Sequence, residues 1–543
     1  MAQTSSDRRA NGPSQVSGKG GTENSSLLLA LILCSGLFLR LLMAWTDVAI
    51  LVQKTLPDDA FYYFTIARNI LAGRGVTVDG LHPTNGFHPL WAVWLLLPSA
   101  LFPGQAIPAG LSLAALADVG TAWLCYRAVQ AAGGRARAAL VAASFYAFNP
   151  LAAMEAANGL ETALSTFFLA WFFYYYLTAI RGREAKAGRY AFFGVLAGIT
   201  FLARTDSIFM LALIEAGVLC QARWEKGTLP LLAISGLAFI LIISPWLAWN
   251  LLTFGTFVQS SGIALPFLIK YSMAESFHNL PLAEALSRHV GPALYLSFLL
   301  FWYYSGVGWT ALIVAAFALR FFRDKLPPGT GRGLLSTLKP FTLPLLAAFL
   351  IVLFHTFYRW YPRSWYYVPL AWASALCVGP GLAYVEEALR KLSRRGEAIF
   401  PGLLALAVLL FALLGLKWWK QGFYPWQIHM YRASQWLAEN VKPGQTTGAF
   451  NAGMQAYFSP GHVVNLDGVT DWEALKALRE RRLLDYARAR SVIYIVDFRQ
   501  YIYDSYAPFW GEGYPYALKL VETLSPPYPP YGPVAVYGLE DGG

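Results

Sequence analysis

Apolar runs of about 20 residues alternate with short polar connections along most of the chain, and a run of that length crosses a hydrocarbon layer about 30 Å thick. The pattern predicts about eleven crossings, near residues 25–45, 108–131, 137–153, 159–180, 190–204, 206–221, 229–252, 292–319, 341–358, 365–387 and 399–416. Pro89 to Phe102 is shorter and carries Trp and Pro, so it is placed at the membrane interface. From Lys417 the pattern changes. HMYRASQWLAENVKPGQ reads as an amphipathic helix stopped by Pro-Gly, VVNLDG and SVIYIVDF as short buried strands, and WEALKALRERRLLDYARA as the helical stretch between them. The fold class is therefore an α-helical polytopic membrane bundle with a small C-terminal α/β domain. A polar, Gly- and Ser-rich tail over residues 1–24 is expected to be disordered, the bundle spans 25–416 with a first outer loop at 46–107, and the α/β domain spans 417–543.

Composition agrees with that class: 56% of the 543 residues are apolar and only 13% charged. The formal net charge of +11 would point to nucleic acid in a soluble chain. Here the cations fall in short clusters between apolar runs, Arg127/Arg135/Arg137, Arg181/Arg183/Lys186/Arg189, Arg223/Lys226, Arg320/Arg323/Lys325/Arg332/Lys339 and Arg390/Lys391/Arg394/Arg395. With Pro89–Phe102 left at the interface, all of them face the cytoplasm, as the positive-inside rule requires. The basicity encodes orientation: amino terminus inside, residues 417–543 outside, and no nucleic-acid partner. The first run lacks a small-residue cleavage site and is expected to remain as a signal anchor. Cys34, Cys125, Cys220 and Cys377 all lie in apolar runs, where they read as packing residues.

The outer face collects a different inventory, densest in PDDAFYYFTIARNILAGRGVTVDGLHPTNGFHPLW, residues 57–91. Asp58 and Asp59 open an amphipathic segment too short to cross a bilayer but suited to lying on one. Glu155, Asn158, Glu161, Arg204, Asp206, Arg359 and Arg363 join Asp79, His82 and His88 on that side. Structural readings compete throughout. An Asp before a helix is commonly an N-cap, and Asn158-Gly-Leu-Glu161 fits a capping-box-like helix start. Arg204 and Asp206 are two apart and would not face each other along a helix. Arg359 and Arg363 could anchor an aromatic interface belt. His82 and His88 are unspecific as metal ligands.

The motifs DDAFYYFTIARNILAGRGVTVDG, TNGFHPLW, NGLETAL, LARTDSIF and NAGMQAYFSPGHVVNLDG together resemble the GT-C superfamily of integral-membrane glycosyltransferases. The chain is most similar there to protein O-mannosyltransferases and cell-envelope arabinofuranosyltransferases. The resemblance implies an inverting transfer of a sugar from a polyprenyl-phosphate carrier to a glycan, lipid or protein acceptor outside the membrane. It also implies that the first acid of the pair, Asp58, is the base, with Asp59 its partner. The pair is Asp-Asp where the mannosyltransferases have Asp-Glu, and no WWDYG-like acceptor motif is present.

The chemistry matches this inventory on its own terms. A phosphate leaving group lets one carboxylate, which deprotonates the acceptor hydroxyl, support a single displacement while cations steady the departing phosphate. Arg204, Arg359 and Arg363 are candidates for the cations, and Asp206, Glu161, His82 and His88 for further donor contacts. No cofactor is required, although a divalent cation is compatible. Two other classes remain: a lipid or polysaccharide transporter, which would show repeat symmetry or charges within spans where this chain shows Asp118, and a non-catalytic envelope assembly protein.

Overall fold

The computed structural model describes residues 19–222, 227–321, 330–359, 362–390 and 396–540. The tail to Gly18 and the basic residues Arg223, Lys226, Arg323, Lys325, Lys391, Arg394 and Arg395 lie outside the described residues, as do the side chains of Arg332 and Arg359. The first helix is Lys19–Ala44, so the end of the polar tail is helical where disorder is expected from its composition.

Among the described residues seven helical segments are long and apolar enough to cross a membrane: Asn24–Ala44, Pro103–Ala131, Thr162–Ile180, Thr228–Phe254, Leu282–Phe317, Gly333–Tyr358 and Ser364–Arg390. Pro89–Leu101, Ala136–Ala147 and Ala187–Ala203 are shorter apolar helices. The chain is a multi-pass membrane protein. Asp118 is not a solitary intramembrane charge. Arg40 of the first helix donates to it at 2.6 Å and Tyr146 Oη at 2.6 Å, all three fully buried. A buried pair satisfied in this way is a structural tie between helices.

The C-terminal domain is built on five strands, β1 (Thr446–Ala449), β2 (His462–Asn465), β3 (Val492–Phe498), β4 (Leu518–Thr523) and β5 (Val534–Leu539), in the order β2-β1-β3-β5-β4. β1 pairs parallel with β2 and β3, whereas β5 runs antiparallel to β3 and β4. The helix Gln427–Asn440 ends just before Lys442-Pro443-Gly444, as its sequence predicts. The stretch 472–489 is two helices, Trp472–Arg479 and Leu483–Ala489, because Arg481 adopts a left-handed φ of 54° that a continuous helix cannot contain. β2 and β3 fall where the apolar runs place them. β1, TTGA, has too little apolar character to announce a strand, and β4 is an exposed edge.

The helix Asp58–Leu71, expected to lie on the bilayer, is instead enclosed by protein. All but its last residues and Asp59 are buried or nearly so, because the C-terminal domain covers the face that would otherwise meet lipid. One apolar core runs from the bundle through Phe61 and Phe64 into Met454, Val463 and Phe498 of that domain. Phe61 packs on Tyr457 and Phe458 at ring separations of 5.7 and 5.6 Å.

Candidate active site

Pro57, with φ −70° and ψ 159°, is the residue before the helix Asp58–Leu71 and offers no side-chain cap. The two acids occupy the first turn, where the helix dipole favours negative charge. Neither caps this helix by the expected route. Asp58 reaches across to the C-terminal domain, where its two oxygens accept the Gly453 N–H at 2.9 Å and the Met454 N–H at 2.7 Å, the first amides of the helix Gly453–Phe458. Its own N–H donates to Gln427 Oε1 at 2.6 Å, and Gln427 Nε2 donates to the Val52 carbonyl at 2.8 Å. Gly453 is required at this contact, since a Cβ there would stand 2.1 Å from the Asp58 carbonyl oxygen. Asp58 is only 7% exposed. Burial pushes its carboxyl up to about 7 against the lowering effect of the Met454 N–H, with the Asp59 charge adding to the rise. Asp59, one residue on, is exposed.

The carboxyl ends of the parallel strands β1, β2 and β3 supply the opposing wall. Asp497, at the end of β3, accepts the N–H groups of Phe450 and Asn451, both at 2.9 Å, and burial lifts its carboxyl to about 6. Asp467, after β2, accepts the Val469 N–H at 2.9 Å; burial raises it to about 8, helped by the charges of Asp59 and Asp58. Tyr62 Oη accepts from the Ala452 N–H and from Asn465 Nδ2. Gly86 of TNGF meets the same domain so closely that a Cβ would lie 2.1 Å from the Val469 carbonyl oxygen.

A second cluster closes the membrane side. Arg204 Nη1 donates to Glu161 at 2.5 Å and Nη2 to Asp206 at 2.7 Å, while its guanidinium lies 5.0 Å over the Tyr366 ring. Arg204 and Asp206 therefore do pair locally. Arg204 ends its helix with extended backbone, φ −161° and ψ 126°, and residues Thr205–Ser207 form a 3₁₀ turn, so the helical spacing argument does not apply. His355 Nε2 joins Asp206 at 2.7 Å, and its ring stacks on Tyr366 at 3.6 Å. Glu161 also accepts from Tyr63 Oη at 2.7 Å and has His88 Nε2 at 3.7 Å. It makes no capping bond, so the capping-box reading fails: Asn158 Oδ1 accepts from Leu160 N instead. Burial opposes ionisation of Glu161 and Asp206, but His88 and Arg204 for Glu161, and Arg204 and His355 for Asp206, hold both carboxyls below their ordinary values.

Asp59 and Arg363 both act electrostatically on a residue that sequence alone does not mark, and the Arg363 guanidinium lies 5.6 Å over the Trp365 ring. The buried Tyr424 hydroxyl feels the charges of Glu155, Arg363 and Asp59 together. Glu155, fully buried, accepts from Asn158 Nδ2 at 2.7 Å and lies 3.4 Å from Tyr304 Oη, and burial raises its carboxyl to about 7. Ser364 through Tyr367 carry this group to the Arg204 cluster through Tyr366. The predicted residues thus divide. Asp58, Asp59, Arg363, Glu161, Arg204, Asp206 and His88 line connected walls. His82 stands apart, held by Asp79 Oδ2 at 2.5 Å and by Arg490 at the domain junction. Arg359 ends the helix Thr342–Arg359, and its side chain lies outside the described residues. Gln427, Tyr424, Asp467, Asp497 and His355 escape sequence reasoning because their role depends on which distant segment they meet. Among the described residues no group of three or more His, Cys, Asp or Glu is arranged to hold a metal ion.

Residues 87–249 match the family described as dolichyl-phosphate-mannose-protein mannosyltransferase, and residues 421–537 match a domain of unknown function, DUF8728. The oligosaccharyltransferase of Archaeoglobus fulgidus, solved with a tethered acceptor peptide, superposes with a TM-score of 0.55 at 15% identity over 95% of this chain and 74% of its own. The chain has the GT-C fold. ArnT from Cupriavidus metallidurans bound to undecaprenyl phosphate shares that fold with a TM-score of 0.54 at 13% identity, covering 96% of this chain and 98% of its own. The mycobacterial arabinofuranosyltransferase AftD shares it with a TM-score of 0.50 at 16% identity over 95% of this chain and 40% of its own. No curated protein matches the chain. Within the GT-C fold the walls described above lie where the bundle and the C-terminal domain meet.

Proposed function

We propose that this GT-C chain moves a sugar from a polyprenyl-phosphate carrier to an acceptor hydroxyl on the extracytoplasmic side of the membrane, with inversion. The observation that carries the reading is the split of the acidic pair: Asp58 is buried with both oxygens on backbone amides, while Asp59, one residue on, is exposed. Asp59 takes the acceptor's hydroxyl proton. The acceptor oxygen then bonds to the anomeric carbon as the bond to phosphate breaks, and the carrier phosphate leaves with the electron pair. One displacement inverts the centre. Arg363 is the cation that steadies the departing phosphate, since its charge is felt with that of Asp59 at Tyr424, while Arg204 binds two carboxylates and holds Glu161, and through it Tyr63, in place. Asp58 is the positioning residue that ties the helix to the outer domain.

The solved relatives bind ligands of the required chemistry, undecaprenyl phosphate in ArnT and dolichol phosphate in the archaeal oligosaccharyltransferase AglB. The test is turnover by the purified chain in nanodiscs of a panel of polyprenyl-phosphate-linked sugars, reading carrier phosphate release and product anomeric configuration. Inverted product is expected. Arg363→Ala should weaken donor use by about 10- to 100-fold, the scale of one charge-assisted contact, with Arg363→Lys restoring only part because an ammonium lacks the two-pronged geometry. Product of retained configuration, or full donor use by Arg363→Ala, would contradict the assignment.

A further inference from the structure

At the other end of the bundle two cavities adjoin. The first, about 510 Å³, lies among Arg135, Arg137, Ser336, Tyr384, Glu386 and Arg390. The second, about 480 Å³, is almost wholly apolar, walled by Trp309, Leu335, Leu338, Leu345 and Cys377, with Lys339 at its edge. Ser336 belongs to both. The volumes are those of ligand pockets. Arg135 stands immediately before the helix Ala136–Ala147, whose far end leads to Glu155. Arg390 closes the helix Val368–Arg390, whose first turn follows Tyr366. A helix of 23 residues is about 35 Å long, so these cavities are a membrane thickness away from Asp59.

The charge in the first cavity is fixed and unequal. Buried Glu386 holds Arg137 at 2.6 Å and Arg390 at 2.7 Å, and Glu387 holds Arg135 at 2.6 Å. Among the described lining residues three guanidiniums against two carboxylates leave one positive charge in excess, and Lys339 lines the second cavity. The helix Thr330–Leu338 is pressed onto this wall: a Cβ at Gly333 would lie 2.1 Å from Tyr384 Oη. A basic chamber opening beside an apolar slot, at the ends of membrane helices, has the shape and charge of one kind of ligand.

We infer that these paired cavities bind one anionic phospholipid, with its headgroup phosphate among Arg135, Arg137 and Arg390 and an acyl chain along the slot between Trp309 and Leu345. This site is separate from the transfer site and does not depend on the transfer reading. The arginine fork suits phosphate oxygens, and buried Glu386 holds the forks of Arg137 and Arg390 in place before the lipid arrives.

The test uses the full purified chain, loaded with phosphatidylglycerol or phosphatidylcholine and examined by native mass spectrometry after matched detergent exchange. One retained phosphatidylglycerol is expected, with retention at least tenfold above phosphatidylcholine. Ser336 is exposed and bonds locally to the Gly333 carbonyl, so Ser336→Glu should fold normally while placing a negative charge at the junction of the two cavities. It should lower phosphatidylglycerol retention at least tenfold. Arg135→Gln, at a side chain 77% exposed, should lower it several-fold. Equal retention of the two lipids, unchanged retention in Ser336→Glu, or displacement of the lipid by inorganic phosphate alone would overturn the inference.

Discussion

Asp58 and Asp59 are adjacent and chemically identical, yet they face different ways because successive residues on a helix point about 100° apart. Asp58 turns into the C-terminal domain, and its carboxylate serves as the N-terminal acceptor for a helix about 400 residues downstream, Gly453–Phe458. That contact admits no side chain at Gly453. Gly453→Ala should therefore destabilise the protein by about 1–3 kcal/mol, the usual cost of overpacking against unyielding backbone, and expose the amides of 453–458 to faster hydrogen exchange. Gly188→Ala, where nothing lies within 4 Å of the added carbon, should be neutral or slightly stabilising. Equal unfolding temperatures for the two variants would show that the domain contact yields easily. Gly453 could not be singled out from sequence, because NAGMQAYF carries no sign of what approaches it. Asp58 could be singled out, but not its partner. Arg204 and Asp206 were legible as unusual outer-face charges, and their pairing was not, because it depends on a helix ending at Ala203.

At the scale of elements, the Asp58–Leu71 helix and the carboxyl ends of β1, β2 and β3 are two faces of one junction holding several buried acids. Asp58 at about 7, Asp497 at about 6 and Asp467 at about 8 all lie above the ordinary carboxyl value, chiefly through burial. In the interval from about pH 4 to their folded values the folded state binds more protons than the unfolded one. Stability consequently falls as pH rises through that interval, by up to about 1.4 kcal/mol per unit for each proton difference. Glu161 and Asp206, held low by His88, Arg204 and His355, act in the opposite sense and only on stronger acidification. Thermal unfolding in detergent should show a midpoint that drops between pH 5 and pH 8, with the drop reduced in Asp58→Asn. A midpoint that rises over this range would contradict the burial of these groups. The element pattern itself was largely legible, since apolar runs and Pro-Gly stops mark most helices. The burial of Asp58–Leu71 was not, because an amphipathic segment looks alike whether lipid or a protein domain covers its apolar side.

Across the whole molecule, the helices bring Glu155, Glu161, Arg204, Asp206 and His355 to one end of the bundle, and the C-terminal domain closes over them with the acidic pair between. The spacing of basic clusters assigned Glu155, Glu161, Arg204 and Asp206 to one side of the bundle, and the structure gathers them at one end. That spacing did not anticipate that a single hydrophobic core joins the two domains, which makes the C-terminal domain part of the candidate site's wall. The proposed division of labour between Asp58 and Asp59 is put to the test by sugar transfer from a polyprenyl-phosphate donor in purified Asp58→Asn and Asp59→Asn proteins. Asp59→Asn should keep the wild-type unfolding temperature and lose transfer by a factor of about 10²–10⁴, the contribution of a general base. Asp58→Asn should alter stability and its pH dependence while retaining more transfer than Asp59→Asn. Transfer near wild type in Asp59→Asn, with the large loss in Asp58→Asn at matched stability, would contradict the account and return the base to the buried acid.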